Sequence, residues 1–380
     1  MAMDRANLLK ALDASLGPAA CDLAGAWRWH LGRDTRTADT DLAQVRRILL
    51  IRPGGMGDLI VLLPAIKRLR ERFPDAALDI VCERRNVAVL GLSGLQGSAL
   101  VYDANPLRFL RRLRRSGYDV AIDTEQFHHF SPLFAAWSGA PVRIGFKINP
   151  RRNPLYTHLI NYAPDGPEGE QFMRLLEPLG ITQQPCRLDG LLKDMPPAAM
   201  RSASAAAFEG FARQCPYVAL HMSATTMTKR WPLDRFAQLA QALGQATGMG
   251  ILMVGGAREV GLADVLRRRI GSGSLRVLSL AGALTLAETA TVMRTARLFV
   301  GGDSGLAHLA VALGVPTVVL FGPSDPMKWG AADGRHVVVS RRLPCSPCSI
   351  FGYQKPCRDV ECMSGISVAE VLEACRRLLS

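Results

Sequence analysis

The chain has no long apolar run. Nowhere among its 380 residues do eighteen apolar residues follow one another, so the sequence offers no helix able to span a bilayer core. No targeting segment is legible, because Met1 to Leu12 mix charged with apolar residues. Nine cysteines without such a segment are expected to stay reduced in a cytoplasmic setting rather than to form a disulfide framework. No G-x-G-x-x-G fingerprint stands in a strand-turn-helix setting, which argues against a dinucleotide-dependent dehydrogenase. No D-x-D pair stands in a suitable turn. The long aromatic-interleaved groove of single-strand nucleic-acid binders is also missing, and no nucleic-acid partner is expected.

What is present is ordinary for a globular protein with real cores: 48% hydrophobic and 21% charged residues. A net charge of +13 makes a field that attracts anions. Nucleotide phosphates, nucleic acid and an anionic membrane face all satisfy it, and charge alone does not separate them. A length of 380 residues fits two domains at about 100–200 residues each.

Residues 1–45 read as an arm, with helical patterning at Leu8, Leu9, Leu12 and Leu16 and again around Trp27 and Trp29. A polar stretch from Arg33 to Asp41 follows, and the arm is expected to dock on the first domain. From Arg46 the pattern becomes strand, helix, strand, helix. Ile48–Ile51 is a short apolar run suited to a buried parallel strand, and Leu78–Val81 and Val120–Asp123 read as the next strands. The pattern weakens between Thr182 and Gln214 and then restarts at Tyr217–Leu220, Gly250–Val254, Leu298–Val300 and Val315–Phe321. Two α/β domains are expected, at 46–205 and 206–380, facing across a cleft at the carboxyl ends of their strands.

Five segments carry chemistry. In Phe299 to Ala310 an apolar strand runs through Gly301-Gly302 into Asp303-Ser304-Gly305, where a helix begins. Its free N–H groups and dipole suit a phosphate, and an ordinary capped helix fits equally well. Lys229-Arg230 follows the hydroxyl-rich turn Ser223 to Thr226, so it reads either as a diphosphate site or as a solvated loop anchored by Trp231. Asp58, after the glycine turn Pro53-Gly54-Gly55, is either a general base or a plain helix cap. Cys345-x2-Cys348-x8-Cys357-x4-Cys362 has the spacing of a tetrahedral thiolate site for structural zinc or iron, and redox-active or merely small packing cysteines are the alternatives. The basic run 107–115, with Arg108, Arg111, Arg112, Arg114 and Arg115, suits an anionic membrane surface or phosphorylated acceptor, or a solvated helix face. His128, His129 and His221 stand second to these, as histidines at strand ends that more often serve structure.

In order, four blocks resemble glycosyltransferase family 9, the ADP-heptose:lipopolysaccharide heptosyltransferases. They are I-L-L-I-R-P-G-G-M-G-D-L-I-V-L-L-P at Ile48 to Pro64, H-M-S-A-T-T-M-T-K-R-W-P at His221 to Pro232, V-G-G-D-S-G-L-A-H-L-A at Val300 to Ala310, and G-V-P-T-V-V-L-F-G-P-S-D-P at Gly314 to Pro326. The cysteine-rich loop 344–363 and the final helix also look like the C-terminal pattern of several members. The resemblance implies a GT-B fold and inverting transfer from a nucleotide-sugar donor such as ADP-heptose, with no cofactor required for the chemistry. It makes Asp58 the base, Lys229 the donor-phosphate lysine, and Asp303, Ser304, Gly305, Leu306 and His308 the holders of the diphosphate and sugar. Thr225 and Glu259 match donor-side positions. The implied acceptor is a glycan or lipid-linked hydroxyl, by default of the lipopolysaccharide core, at the inner face of the cytoplasmic membrane. A nucleotide-sugar epimerase or heptosylation of a protein are the alternative chemistries. The arm before Arg46 and the non-acidic Met227 and Thr228 depart from the family pattern.

Overall fold

The computed structural model describes residues 5–30, 42–94, 97–182, 185, 187–271, 273–331, 333–350, 353–354 and 357–380, without the side chains of 5–7, 10, 27–30, 43, 350 and 353–354. The chain's contacts divide it into two units, Met1–Cys186 and Arg187–Ser380.

The first unit opens with α1 (Arg5–His30) and then alternates: β1 (Arg47–Ile51), α2 (Met56–Arg72), β2 (Ala77–Cys82), β3 (Ser98–Val101), α3 (Pro106–Arg115), β4 (Val120–Asp123), α4 (Phe130–Trp137), β5 (Val142–Phe146), β6 (His158–Ile160) and α5 (Glu168–Arg174). Its sheet runs β3-β2-β1-β4-β5-β6, with every pair parallel. Ile48, Leu49, Leu50 and Ile51 of β1 are all buried, because helices cover both faces of a parallel sheet. The strand order reverses at β1. The chain winds outward through β2 and β3, then returns to lay β4 on the other side of β1, with Ile48 opposite both Leu78 and Val120.

The second unit repeats this plan. Its elements are α6 (Ser202–Gln214), β7 (Tyr217–His221), α7 (Leu233–Thr247), β8 (Gly250–Met253), α8 (Val260–Ile270), β9 (Val277–Ser279), α9 (Leu286–Arg294), β10 (Leu298–Gly302), α10 (Gly305–Ala312), β11 (Thr317–Phe321), α11 (Pro326–Trp329), β12 (His336–Ser340), β13 (Ser349–Ile350), β14 (Tyr353–Gln354), α12 (Glu361–Ser364) and α13 (Val368–Leu379). The order β12-β11-β10-β7-β8-β9 reverses between β7 and β10 as the first sheet does between β1 and β4. Buried Trp231 donates its indole N–H to the Ile366 carbonyl at 3.0 Å, which ties the start of α7 to the loop before α13. The Ala/Ser-rich stretch, where the hydrophobic pattern fades, forms α6. The segment before it already hydrogen-bonds within this unit, through Gly190 N–H to Val311 and Leu192 N–H to Ala312.

The arm docks on α4 and the turn at Asn153–Leu155. Most of its leucines do not make that contact: Leu8, Leu12, Leu16 and Leu23 are 37–73% exposed, while half-buried Leu9 lines a small cavity with Asp13, Phe130 and Phe134. The contact uses a small polar face. Buried Asp13 accepts the N–H groups of His129 (3.0 Å) and Phe130 (2.7 Å) at the N-terminus of α4. The Cys21 thiol donates to the His129 carbonyl at 3.3 Å. Gly17 passes so close that a Cβ there would lie 2.4 Å from the His129 Cβ. The side chains of Trp27 and Trp29, and residues 33–41, fall outside the described residues.

Glycine inside a helix normally costs about 0.5–1 kcal/mol relative to alanine. Gly17→Ala is expected to reverse that sign: urea unfolding should show lost rather than gained stability, and limited proteolysis should release the arm faster.

Candidate active site

In the first unit β1 ends at Ile51 and the chain turns through Arg52, Pro53, Gly54 and Gly55 into α2. Gly54 has φ +132°, a conformation that a residue with a Cβ rarely adopts. Asp58, in the first turn of α2, folds back over this loop. Its Oδ2 accepts the Gly55 N–H at 2.8 Å, and its Oδ1 lies 3.0 Å from Arg52 Nη2. A Cβ at residue 55 would sit 2.6 Å from that Oδ2, so the second glycine makes room for the carboxylate. The Asp58 side chain is 28% exposed and that of Arg52 only 3%. The result is a carboxylate fixed from below and open above, the arrangement a general base needs.

Arg52 reaches across the strand-order reversal. Its Nη1 donates to the Thr124 carbonyl at 2.9 Å and lies 3.6 Å from Glu125 Oε1, just beyond β4. Its guanidinium stands 4.9 Å from the centroid of the Phe172 ring. Burial pushes the Glu125 carboxyl above the usual range, against the pull of Arg52.

The second unit places its polar groups at the equivalent reversal. Asp303 follows β10 and is 8% exposed, with Oδ2 at 2.7 Å from Lys229 Nζ and Oδ1 at 3.7 Å from His308 Nε2. Burial works against its charge, but Lys229 and then His308 outweigh burial and hold its carboxyl below the ordinary value. Ser304 caps α10, its Oγ accepting the Ala307 N–H at 3.4 Å. The same Oγ lies 3.1 Å from His221 Nδ1 at the end of β7. Burial keeps His221 neutral, its pKa pushed down to about 4. Helix α10 therefore presents its N-terminus beside a lysine, a histidine and a hydroxyl, which is a ready anion site.

Of the other residues marked by sequence, Gly305 and buried Leu306 form the first turn of α10. Glu259 accepts the Gly256 N–H, and its charge acts on His221. Thr225 is exposed on the loop after β7. Arg230 turns away from Lys229 and donates to the Ala224 carbonyl at 3.2 Å. In the cysteine loop, Cys345 and Cys357 are exposed, Cys348 half-buried and Cys362 buried. The Cys362 thiol is raised by burial and then by Cys348, Cys357 and Cys345, so the four share one locality. The arginines of α3 are exposed while Phe109 and Leu113 face inward; Arg112 also lies 3.5 Å from Asp79. Sequence reasoning passed over Arg52 and Glu125 as chemical groups. The one available signal was that both follow central strands.

Two parallel sheets of this order define the α/β class of GT-B glycosyltransferases. The sequence matches glycosyltransferase family 9 (heptosyltransferase) over residues 106–357. It is 27% identical to lipopolysaccharide heptosyltransferase 1 of Pseudomonas aeruginosa over 318 residues, 80% of this chain and 86% of that protein. It is 26% identical to lipopolysaccharide heptosyltransferase 3 of Escherichia coli over 292 residues, 72% of this chain and 82% of that protein. The solved structure of E. coli ADP-heptose lps heptosyltransferase II superimposes with a TM-score of 0.66 at 21% identity, covering 88% of this chain and 98% of that one. The chain belongs to glycosyltransferase family 9, and it is an enzyme of that type.

Because the folded Asp303 carboxyl lies below its unfolded value, near 3.9, its ion pair contributes stability above that pH and loses it as pH falls through the folded value. Lys229→Met is expected to cost about 2 kcal/mol at neutral pH, and the difference from wild type should shrink below about pH 4. Urea unfolding across that range reads both.

Proposed function

We propose that this enzyme transfers a sugar, heptose by default, from a nucleoside-diphosphate donor such as ADP-heptose to a hydroxyl of a lipopolysaccharide-core glycan, with inversion. The observation that carries the reading is the open, braced carboxylate at the strand-order reversal of the first unit; the second unit, taken by itself, offers an anion-suited helix N-terminus at its own reversal. The names of the relatives support the sugar and the acceptor.

Asp58 takes the proton of the acceptor hydroxyl as that oxygen attacks the anomeric carbon. The bond to the diphosphate breaks, and negative charge grows on the leaving phosphate. The N–H groups at the start of α10, Lys229 and His308 stabilise that charge. Lys229 then divides its charge between Asp303 and the phosphate; its 21% exposure and flexible stem suit it to do so. Ser304, Gly305 and Leu306 shape the phosphate turn, and Thr225 and Glu259 stand on the donor side. No cofactor enters these steps.

The spacing of Cys345, Cys348, Cys357 and Cys362 suits a thiolate-bound zinc or iron ion, but among the described residues the ligand atoms that converge closely enough for one ion are those of Asp189, Asp333 and His336, so the cysteine loop would have to close further to hold it. Such an ion would cross-link a loop whose described regular structure is the short pair β13–β14 and the single turn α12, and its role would be structural. The exposed arginines of α3 would meet an anionic membrane surface on the cytoplasmic side. No described helix is long and apolar enough to cross a membrane.

Asp58→Asn is expected to cut turnover by about 10²–10⁴-fold while donor binding, read by thermal shift, stays near wild type. Retained turnover would overturn the base assignment. Lys229→Ala should weaken ADP binding, and a thermal-shift panel of ADP-, UDP- and GDP-sugars should single out the ADP-sugar. Elemental analysis of protein purified without chelator should find zinc or iron, and Cys345→Ser with Cys357→Ser should remove it.

A further inference from the structure

Two features of the first unit have no part in the transfer chemistry: the buried carboxyl of Glu125 and the arm α1. They are joined. Asp13 Oδ2 lies 3.5 Å from His128 Nδ1, and His128 Nε2 lies 3.9 Å from Glu125 Oε2. Glu125 Oε1 lies 3.6 Å from Arg52 Nη1, and Arg52 Nη2 lies 3.0 Å from Asp58 Oδ1. With His128 protonated and Glu125 ionised the groups alternate in sign from the arm to Asp58, the imidazole and the guanidinium each using a different nitrogen toward either neighbour. Asp13, Arg52 and Glu125 are 2–6% exposed, so solvent screens these contacts little.

We propose that Arg52, Glu125, His128 and Asp13 form one positioning chain that sets the orientation and proton affinity of Asp58, making the N-terminal arm a working part of the catalytic unit. The proposal deepens the assignment of Asp58 as base and rests on it for its kinetic consequence.

The mechanism is competition for one guanidinium. Arg52 is buried, and although burial disfavours its charge, Glu125, Asp58 and Glu168 together hold it protonated. An ionised Glu125 draws that charge away from Asp58 and repels it; a neutral Glu125 leaves Arg52 to Asp58 and the weaker pull of Glu168, with Arg85 as the other cation whose charge interacts with Asp58. The ionisation of Glu125 is opposed by burial and by Asp58 and Asp123, and favoured by Arg52 and His128. Arg152 also donates to the Glu125 carbonyl at 2.6 Å. Burial opposes the charge of Asp13, and its hydrogen bonds to His128, His129 and Phe130 outweigh burial; His128 in turn favours an ionised Glu125, so Asp13 and Glu125 meet through that imidazole. The arm is held to this spot by the caps that Asp13 places on α4, so its position and its charge are set by the same carboxylate.

The test is a carboxyl-carbon NMR titration of Asp58 in the full chain, with the resonance assigned by Asp58→Asn. Glu125→Gln should move the Asp58 midpoint to lower pH by about one unit. Asp13→Asn should move it the same way by less, and should add nothing in the Glu125→Gln background, as expected of groups acting in series. Arg52→Lys, which keeps the charge but loses the two-nitrogen bridge, should move it upward. The acidic limb of kcat/KM with ADP-heptose and a lipopolysaccharide-core acceptor should follow these shifts, while KM for the donor stays constant. A purely structural role would lower the unfolding temperature and leave the Asp58 midpoint alone; an unmoved midpoint in Glu125→Gln and Asp13→Asn overturns the inference. If the midpoint moves but the kinetic limb does not, and Asp58→Asn still turns over, the coupling stands and the base assignment fails.

Discussion

The reversal of strand order is the constraint on which the polar chemistry of both units depends. In a parallel sheet every strand must be followed by a crossover, and the crossovers wind in one hand. Where the winding changes direction, the connections leaving two adjacent strands diverge to opposite faces and open a crevice at their carboxyl ends. In the first unit those strands are β1 and β4, and in the second β7 and β10. Asp58 and Glu125 follow the first pair of strands. Lys229 and Asp303 follow the second.

Within the crevices the two units treat charge differently. Arg52 comes from the end of its own strand, is 3% exposed, and is fixed by a carbonyl, two carboxylates and a ring. A buried cation so placed is costly to desolvate and has little freedom to rearrange, which makes it a brace. Lys229 arrives on a separate turn and keeps 21% exposure. Its ion pair with Asp303 is short, yet an ammonium on a four-carbon stem can redirect its donors. One crevice therefore holds its carboxylate still, as the proposed proton abstraction would need, and the other leaves a cation free enough to serve the proposed donor phosphate.

The legible part of this in the sequence follows from burial. Parallel strands covered on both faces are mostly apolar, so β1, β2, β4, β7, β8, β10 and β11 stand out as short runs, although β2 holds buried Asp79 and β4 ends on buried Asp123. Strand β5 does not, because Arg143 interrupts it, and Arg143 is buried by donating to the Leu155 and Ala140 carbonyls. Strand β9 is half-buried throughout and too short to show a pattern. The stretch read as a junction forms α6, since alanine favours helix even where apolar periodicity is faint. The two carboxylates and Lys229 could be picked out because they sit in glycine-rich or hydroxyl-rich turns. Their partners could not. The contacts of Arg52 with Thr124 and Glu125 are made across more than seventy residues, as with Thr124 at a separation of 72, and no local spacing encodes such a pair.

The arm shows the same limit from the other side. Its leucine spacing predicts a helix, and the helix forms, but an apolar stripe predicts burial and, Leu9 apart, these leucines face outward. Docking is decided instead by residues that carry little weight in a hydrophobic pattern: an aspartate, a glycine and a cysteine. Apolar burial is nearly indifferent to register, because one leucine replaces another at similar energy. Two N–H groups converging on one buried carboxylate tolerate no such slip, since an unpaired partner costs about 1–3 kcal/mol. An element held in this way is fixed in position more than it is stabilised. That is the property required of a helix whose Asp13 must stand within reach of His128.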